Sequence, residues 1–272
     1  MYFLHVNTIL KIFNMSIYLI FEFIGKSILK GFIYGVCISG VLISLPSVHK
    51  LSFDYVTNIR RTELLNNNTK NFYIDSYIDF NVLIKFKNFM HNVNDDDNVY
   101  IYLKTNGGLF SSTQAICNIL LRHKGSTHSI IDNYSLSGGT FCALCCKHIY
   151  ANKLSIFSPV DAMYNSDNKF TQLSSVDTIF NKKNPDKISD DTYLLNDHAI
   201  KIENNIKECF NKIANLHNYN ETIKQKIYDE LFAGKKYDHN THFLTEDLKS
   251  LGIDIQPLTQ EMQKFASLTN DY

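Results

Sequence analysis

Residues 99–146 read VYIYLKTNGGLFSSTQAICNILLRHKGSTHSIIDNYSLSGGTFCALCC, and this stretch decides the fold. Val99-Tyr100-Ile101-Tyr102-Leu103 is a β-rich run that cannot be an amphipathic helix, so it predicts a strand. It leads into the turn Lys104-Thr105-Asn106-Gly107-Gly108, then into a helix from about Ser111 to Arg122 with Ile116, Ile119 and Leu120 facing inward. A further strand, Thr127 to Ile131, meets a second glycine turn and a helix of small residues, Gly138 to Cys146. Strand, helix, strand, helix in alternation is the signature of βαβ units, a largely parallel sheet covered by helices. The expected class is α/β.

Outward from this stretch the same pattern continues. Upstream, Phe72-Tyr73-Ile74 predicts a strand, Phe80 to Val93 carries apolar residues at helical spacing, and Asn94-Asp95-Asp96-Asp97-Asn98 is a solvated turn. Downstream, a long helical segment is expected from Asp191 to Leu216 and a second from Glu221 to Phe232. A third follows from Thr245 to Leu251, with Gly252 as its terminating residue. The C-terminal part is therefore helical.

The N-terminus differs in character. Residues 31–48, GFIYGVCISGVLISLPSV, carry no formal charge and are bounded by Lys30 and by His49-Lys50. Eighteen such residues reach the length at which a membrane-spanning helix is the expected reading. Gly31, Gly35 and Ser39 recur at every fourth position, as in segments that let another helix approach. The run is longer than a signal-peptide core and lacks an A-x-A-like exit, so an uncleaved single-pass anchor over residues 1–50 is expected, with either Met1 or Met15 as its start. Lysine and arginine are nearly balanced on its two sides, which leaves the orientation open. Residues 51–70, ending in Asn66-Asn67-Asn68, read as a linker, and residues 71–272 as the folded domain.

Composition narrows the function. Lys plus Arg and Asp plus Glu each total 27 in 272 residues, so no global positive field attracts nucleic acid, and none is expected as a partner. Six cysteines stand at 37, 117, 142, 145, 146 and 209. Cys142 and Cys145 form a CxxC with no second pair or histidine cluster at ligand spacing, so small buried hydrophobes are favoured over a metal site, and reduced thiols fit a reducing compartment. No cofactor is expected, and the phosphate-cradling G-x-x-x-x-G-K-S/T loop of ATP users is absent from the sequence.

The chemistry centres on the glycine turns. Gly107-Gly108 and Ser137-Gly138-Gly139 each follow a strand and precede a helix, and in a parallel sheet such turns gather at the carboxyl ends of the strands. A serine at a helix start has its hydroxyl near free backbone N–H groups, and the following glycine admits a substrate carbonyl. Ser137 is thus a candidate acyl-transfer nucleophile, with Gly107, Gly108 and Gly138 supplying oxyanion donors; a plain helix cap is the competing role.

Tyr100 to Asp161, through Lys104-Thr105-Asn106-Gly107-Gly108, Tyr134-Ser135-Leu136-Ser137-Gly138-Gly139-Thr140 and Ser158-Pro159-Val160-Asp161, resembles the serine dehydrogenase proteinase family. That family belongs to the Clp protease and crotonase superfamily and is related to signal peptide peptidase A. The resemblance implies a ββα spiral core, ATP-independent cleavage of a peptide or protein substrate by a serine nucleophile, and homo-oligomers. It places Ser137 at the nucleophile, Gly107 and Gly108 in the T-P-G-G turn and Asp161 in the G-P-I-D motif. Asn106 and Ser158 depart from that pattern, where proline and glycine are usual. For the general base, Asp197-His198-Ala199-Ile200-Lys201 is similar to the family's D-x-A-x-K segment and makes Lys201 the first candidate. A lysine acts as base near neutral pH only if burial lowers its pKa by about three units. His239 and His242, in a stretch similar to the family's H-D-Y-P-I-T, are the alternatives, and Asp161 either orients the base or caps a turn. A membrane-anchored serine peptidase is the leading expectation. A catalytically silent scaffold of the same fold and an acyl-thioester crotonase are the other two.

Overall fold

The computed structural model describes residues 70–166 and 169–266. Strands β1 (Lys70–Ile74), β2 (Val99–Leu103), β3 (Thr127–Ile131), β5 (His148–Ala151) and β10 (Ile255–Pro257) form one sheet in the order β1-β2-β3-β5-β10, with every neighbouring pair parallel. In register, Phe72, Ile101 and Ser129 lie across from one another on one face, and Tyr73, Tyr102 and Ile130 on the other.

Helices α1 (Phe80–His91), α2 (Phe110–Arg122) and α3 (Gly138–Leu144) follow β1, β2 and the short strand β4 (Tyr134–Ser135) in turn. Helix α1 starts where the Asp79 carboxylate accepts the Val82 N–H at 2.9 Å, capping one of the free amides of the first turn. Val82, Leu83 and Phe86 then point inward at helical spacing. Together with Ile101, Ile116, Leu120, Phe141 and Phe210 they form the main core. Every residue of α3 is buried, which explains a helix written in Gly, Thr, Cys, Ala and Leu with one phenylalanine. The five described cysteines are free and buried; burial pushes the Cys117 and Cys145 thiols up, and the hydrogen bond with Cys117, together with burial, does the same for Cys142, so they behave as small core residues.

Several elements are invisible to periodicity. Two-residue strands β4 (Tyr134–Ser135), β6 (Ile156–Phe157) and β9 (Phe243–Leu244) make a second small sheet, and β7 (Met163–Ser166) pairs antiparallel with β8 (Lys169–Gln172). After β8 come α4 (Leu173–Lys182), the long α5 (Asp190–Leu216) and α6 (Glu221–Ile227). The helix expected to continue to Phe232 changes at Tyr228 to a π-helical turn, Tyr228–Phe232, and α7 (Thr245–Ser250) and α8 (Gln260–Ala266) close the chain. Gly252 ends α7 with φ +101°.

The second face of the sheet is aromatic. Tyr73 stacks on Tyr102, and Tyr100, His128 and His148 stack in a row at 4.4 and 4.7 Å, partly covered by Leu258, Met262 and Phe265. Among the described residues no helix is long and apolar enough to cross a membrane; the span expected over residues 31–48 lies outside them.

Candidate active site

Parallel topology puts the β2–α2 and β4–α3 turns at the same edge, and the two touch. Gly107 has φ +94°, and a Cβ there would sit 2.8 Å from the Ser137 Cβ and 2.9 Å from both the Gly138 nitrogen and the Leu136 oxygen. Only glycine permits this approach. Gly108 pairs with Ile78: Ile78 N–H donates to Gly107 O at 2.8 Å and Leu109 N–H to Ile78 O at 2.8 Å, leaving the Gly108 amide pointing the other way. A Cβ on Gly138 would lie 3.4 Å from that amide nitrogen. No hydrogen bond among the described residues takes up the Gly108 or Gly138 N–H. Two free amides at the starts of α2 and α3 thus stand beside Ser137, an arrangement that stabilises developing negative charge.

Ser137 itself is strained. Its φ of +49° with ψ −115° is a conformation that serine rarely adopts, costing on the order of 1–3 kcal/mol. Its side chain makes no capping bond, so the helix-cap role does not account for it. The strain is held by main-chain bonds on both sides: Leu136 N–H to Thr105 O at 2.9 Å, Gly139 N–H to Leu136 O at 2.7 Å, and Phe141 N–H to Ser137 O at 3.0 Å. The Ser137 N–H donates to Ser158 Oγ at 2.8 Å, while Thr105 Oγ1 donates to Ser76 O at 2.6 Å and receives the Gly107 N–H at 3.1 Å. These bonds fix a tight turn whose serine hydroxyl makes no hydrogen bond among the described residues.

Ser137 opens into a pocket of about 230 Å³ lined by Asn106, Leu136, Ser158, His239, Asn240 and His242. On its wall, His239 Nδ1 lies 2.9 Å from Asp161 Oδ1. Asp161 is 4% exposed, and its Cβ packs where a side chain on Gly234 would otherwise stand, at 2.8 Å. A carboxylate accepting from Nδ1–H sets the histidine tautomer and leaves the Nε2 lone pair available to the pocket.

The structure does not bring Lys201, the first candidate for general base, to the pocket that Ser137 lines. Lys201 lies on the exposed side of α5, with its side chain 69% exposed and paired to Asp197 at 2.6 Å, one helical turn away. The burial that a lysine base requires is absent, and Lys201 is not among the pocket residues. The D-x-A-x-K spacing marks an i,i+4 surface ion pair. His239, named as an alternative, sits in the pocket on a buried carboxylate; His242 lines the rim and is exposed. Asp161, which could have capped a turn, instead holds His239 and receives a bond from Gln172. Ser158, where the family pattern has a glycine, supplies the acceptor for the Ser137 N–H. Gln172 has no signal in the sequence, since nothing local ties a lone glutamine to an aspartate eleven residues earlier.

The family model of ClpP-like SDH-type serine proteinases matches residues 54–269. Two uncharacterized proteins of Methanocaldococcus jannaschii, MJ0137 and MJ1495, are similar to the chain. The first is 28% identical over 162 residues, covering 59% of this chain and 54% of the relative; the second is 27% identical over 161 residues, covering 59% and 53%. The chain spans about half the length of the curated relatives it matches.

Proposed function

Because the chain belongs to the ClpP-like SDH-type serine proteinases, we propose that it hydrolyses peptide bonds with Ser137 as nucleophile, His239 as general base and Asp161 as the carboxylate that orients the base. The observation that carries this reading is the 2.9 Å bond between His239 and buried Asp161 on the wall of the pocket that Ser137 lines.

The chemistry follows from the groups in place. As Ser137 Oγ attacks the carbonyl carbon, Nε2 of His239 takes its proton and the carbonyl electron pair moves onto oxygen, where the Gly108 and Gly138 N–H groups meet it. His239, now protonated and held against Asp161, returns the proton to the leaving nitrogen as the C–N bond breaks. Water then repeats the sequence on the acyl-serine. A positioned base contributes about 10²–10⁴ in rate, and each oxyanion donor about 10²–10³. An acyl-thioester lyase would use the two amides alone and leave the strained serine and the His–Asp pair without a task.

A fluorophosphonate probe tests the assignment on the full chain. The expected result is an adduct on Ser137 that disappears in Ser137→Ala and forms at least about 100-fold more slowly in His239→Ala. Labelling that survives Ser137→Ala would remove the nucleophile, and loss of labelling in Lys201→Ala would return the base to the lysine.

The reading extends to the cellular setting. The uncharged run 31–48 anchors the peptidase in a membrane, supported by its length and composition, and resistance of the full chain to carbonate extraction tests it. Self-assembly into homo-oligomers, supported by the family relationship, is tested by light scattering of the solubilised chain.

A further inference from the structure

We infer that Gln172 is a positioning residue for this site: one side-chain amide ties the Asp161 carboxylate to the loop that carries His239. The inference rests on the reading of Ser137, His239 and Asp161 given above, and deepens it.

Asp161 has two oxygens to satisfy in a buried position. Oδ1 receives His239, and Oδ2 receives Gln172 Nε2 at 2.9 Å. The same nitrogen donates to the Tyr237 main-chain oxygen at 3.0 Å, two residues before His239. An amide NH₂ carries two hydrogens, so both bonds form at once. The amide orientation is fixed by chemistry as well, because turning it over would set its carbonyl oxygen against two acceptors.

The backbone delivers this group and holds it. Gln172 is the last residue of β8 and stands directly before α4, where its side chain makes no bond to its own helix. On the following residues, Leu173 N–H donates to Ala162 O at 3.0 Å, and Ser174 Oγ donates to Gly234 O at 2.5 Å. Main-chain bonds thus clamp the residue beside the aspartate and the 234–239 loop, and the side chain is spent on the catalytic pair rather than on its own helix. A loop histidine joined to a buried aspartate needs its main chain held at the same time, or the 2.9 Å contact is one of many geometries. Gln172 supplies both restraints from one atom.

Two variants of the full chain test this. Gln172→Leu removes the donor at similar size, and the maximal rate of peptide cleavage is expected to fall about 10- to 100-fold with KM changed less than about threefold. The low-field Nδ1–H proton resonance of His239 weakens with it. Gln172→Glu is isosteric: when protonated, its carboxyl still donates to Asp161, and when ionised it repels it. The ratio of variant to wild-type labelling by the fluorophosphonate is therefore expected to fall at least about tenfold between about pH 5 and about pH 8, whereas a merely structural glutamine gives a flat ratio. If Gln172→Leu fails to fold, that ratio decides alone. A flat ratio, or an unchanged resonance in a folded Gln172→Leu, overturns the inference. If the wild type takes no label at all, the serine reading falls, and the His239 resonance in the two variants still decides whether Gln172 orders the pair.

Discussion

Gly107→Ala puts the contact between the two glycine turns to its hardest test. The alanine methyl would be placed 2.8 Å from the Ser137 Cβ, in a space where ordinary contacts begin near 3.4 Å, so something must give by about half an ångström. The other two neighbours, the Gly138 nitrogen and Leu136 oxygen at 2.9 Å, are backbone and cannot swing away. Alanine at φ +94° also carries backbone strain of about 1–2 kcal/mol, and overpacking of this kind adds about 1–3 kcal/mol. A total of about 2–5 kcal/mol corresponds to a drop in Tm of roughly 5–15 °C for a domain of this size. Because the displaced atoms are those of the turn that carries the proposed nucleophile and of one proposed oxyanion amide, labelling of the protein that remains folded is expected to slow by about 10²-fold. Gly125→Ala is the matched control. Gly125 stands in the loop before β3, at the end of the strands away from the glycine turns, and the alanine methyl would meet Asp97 O at 2.1 Å, so the change should destabilise the fold and leave the labelling rate of folded protein within about threefold. The measurements are thermal unfolding and single-turnover fluorophosphonate labelling at a temperature where both variants are folded. Gly107→Ala labelling as fast as the Gly125→Ala control would mean that the turns do not jointly hold the serine.

Other perturbations separate the remaining contacts. Lys201→Ala removes an exposed i,i+4 pair and is expected to change stability by less than about 0.5 kcal/mol and labelling not at all, read by urea unfolding and the same probe. Ser158→Ala leaves the Ser137 N–H without its acceptor and is expected to cost about 1–3 kcal/mol, with slower labelling and an unaltered pH profile. His128, stacked between Tyr100 and His148 with neither ring nitrogen hydrogen-bonded, is pushed down to about 4 by burial from an ordinary value of 6.5. The unfolded chain therefore takes up its proton first. This residue's contribution is complete above pH 6.5 and is lost as pH falls from there toward 4, about 2 kcal/mol between pH 7 and pH 5. Urea unfolding at the two pH values should show that difference shrink in His128→Phe, and an equal loss in both proteins would show that His128 is not its source.

The amino-acid sequence by itself determined the architecture and half of the site. The run Val99–Leu103, the small-residue helix after Ser137 and the two glycine turns are local signals, because burial periodicity and left-handed backbone are written residue by residue. Gly107 is legible as a turn from its neighbours alone. Two-residue strands such as β4 and β6 carry too few residues for any period, so the second sheet had no counterpart in the sequence. The choice between the candidate bases rests only on tertiary structure. Lys201 and His239 are equally plausible as residue types, and what separates them is solvent: one side chain lies 69% exposed beside Asp197, the other meets a carboxylate 78 residues away that folding has taken out of water. A chain of amino acids specifies which groups are present and which face they turn, but hydrogen-bond partners and desolvation exist only after distant segments close on one another. Ser158 and Gln172, whose roles consist entirely of such partners, are therefore found in the fold and not in the text of the sequence.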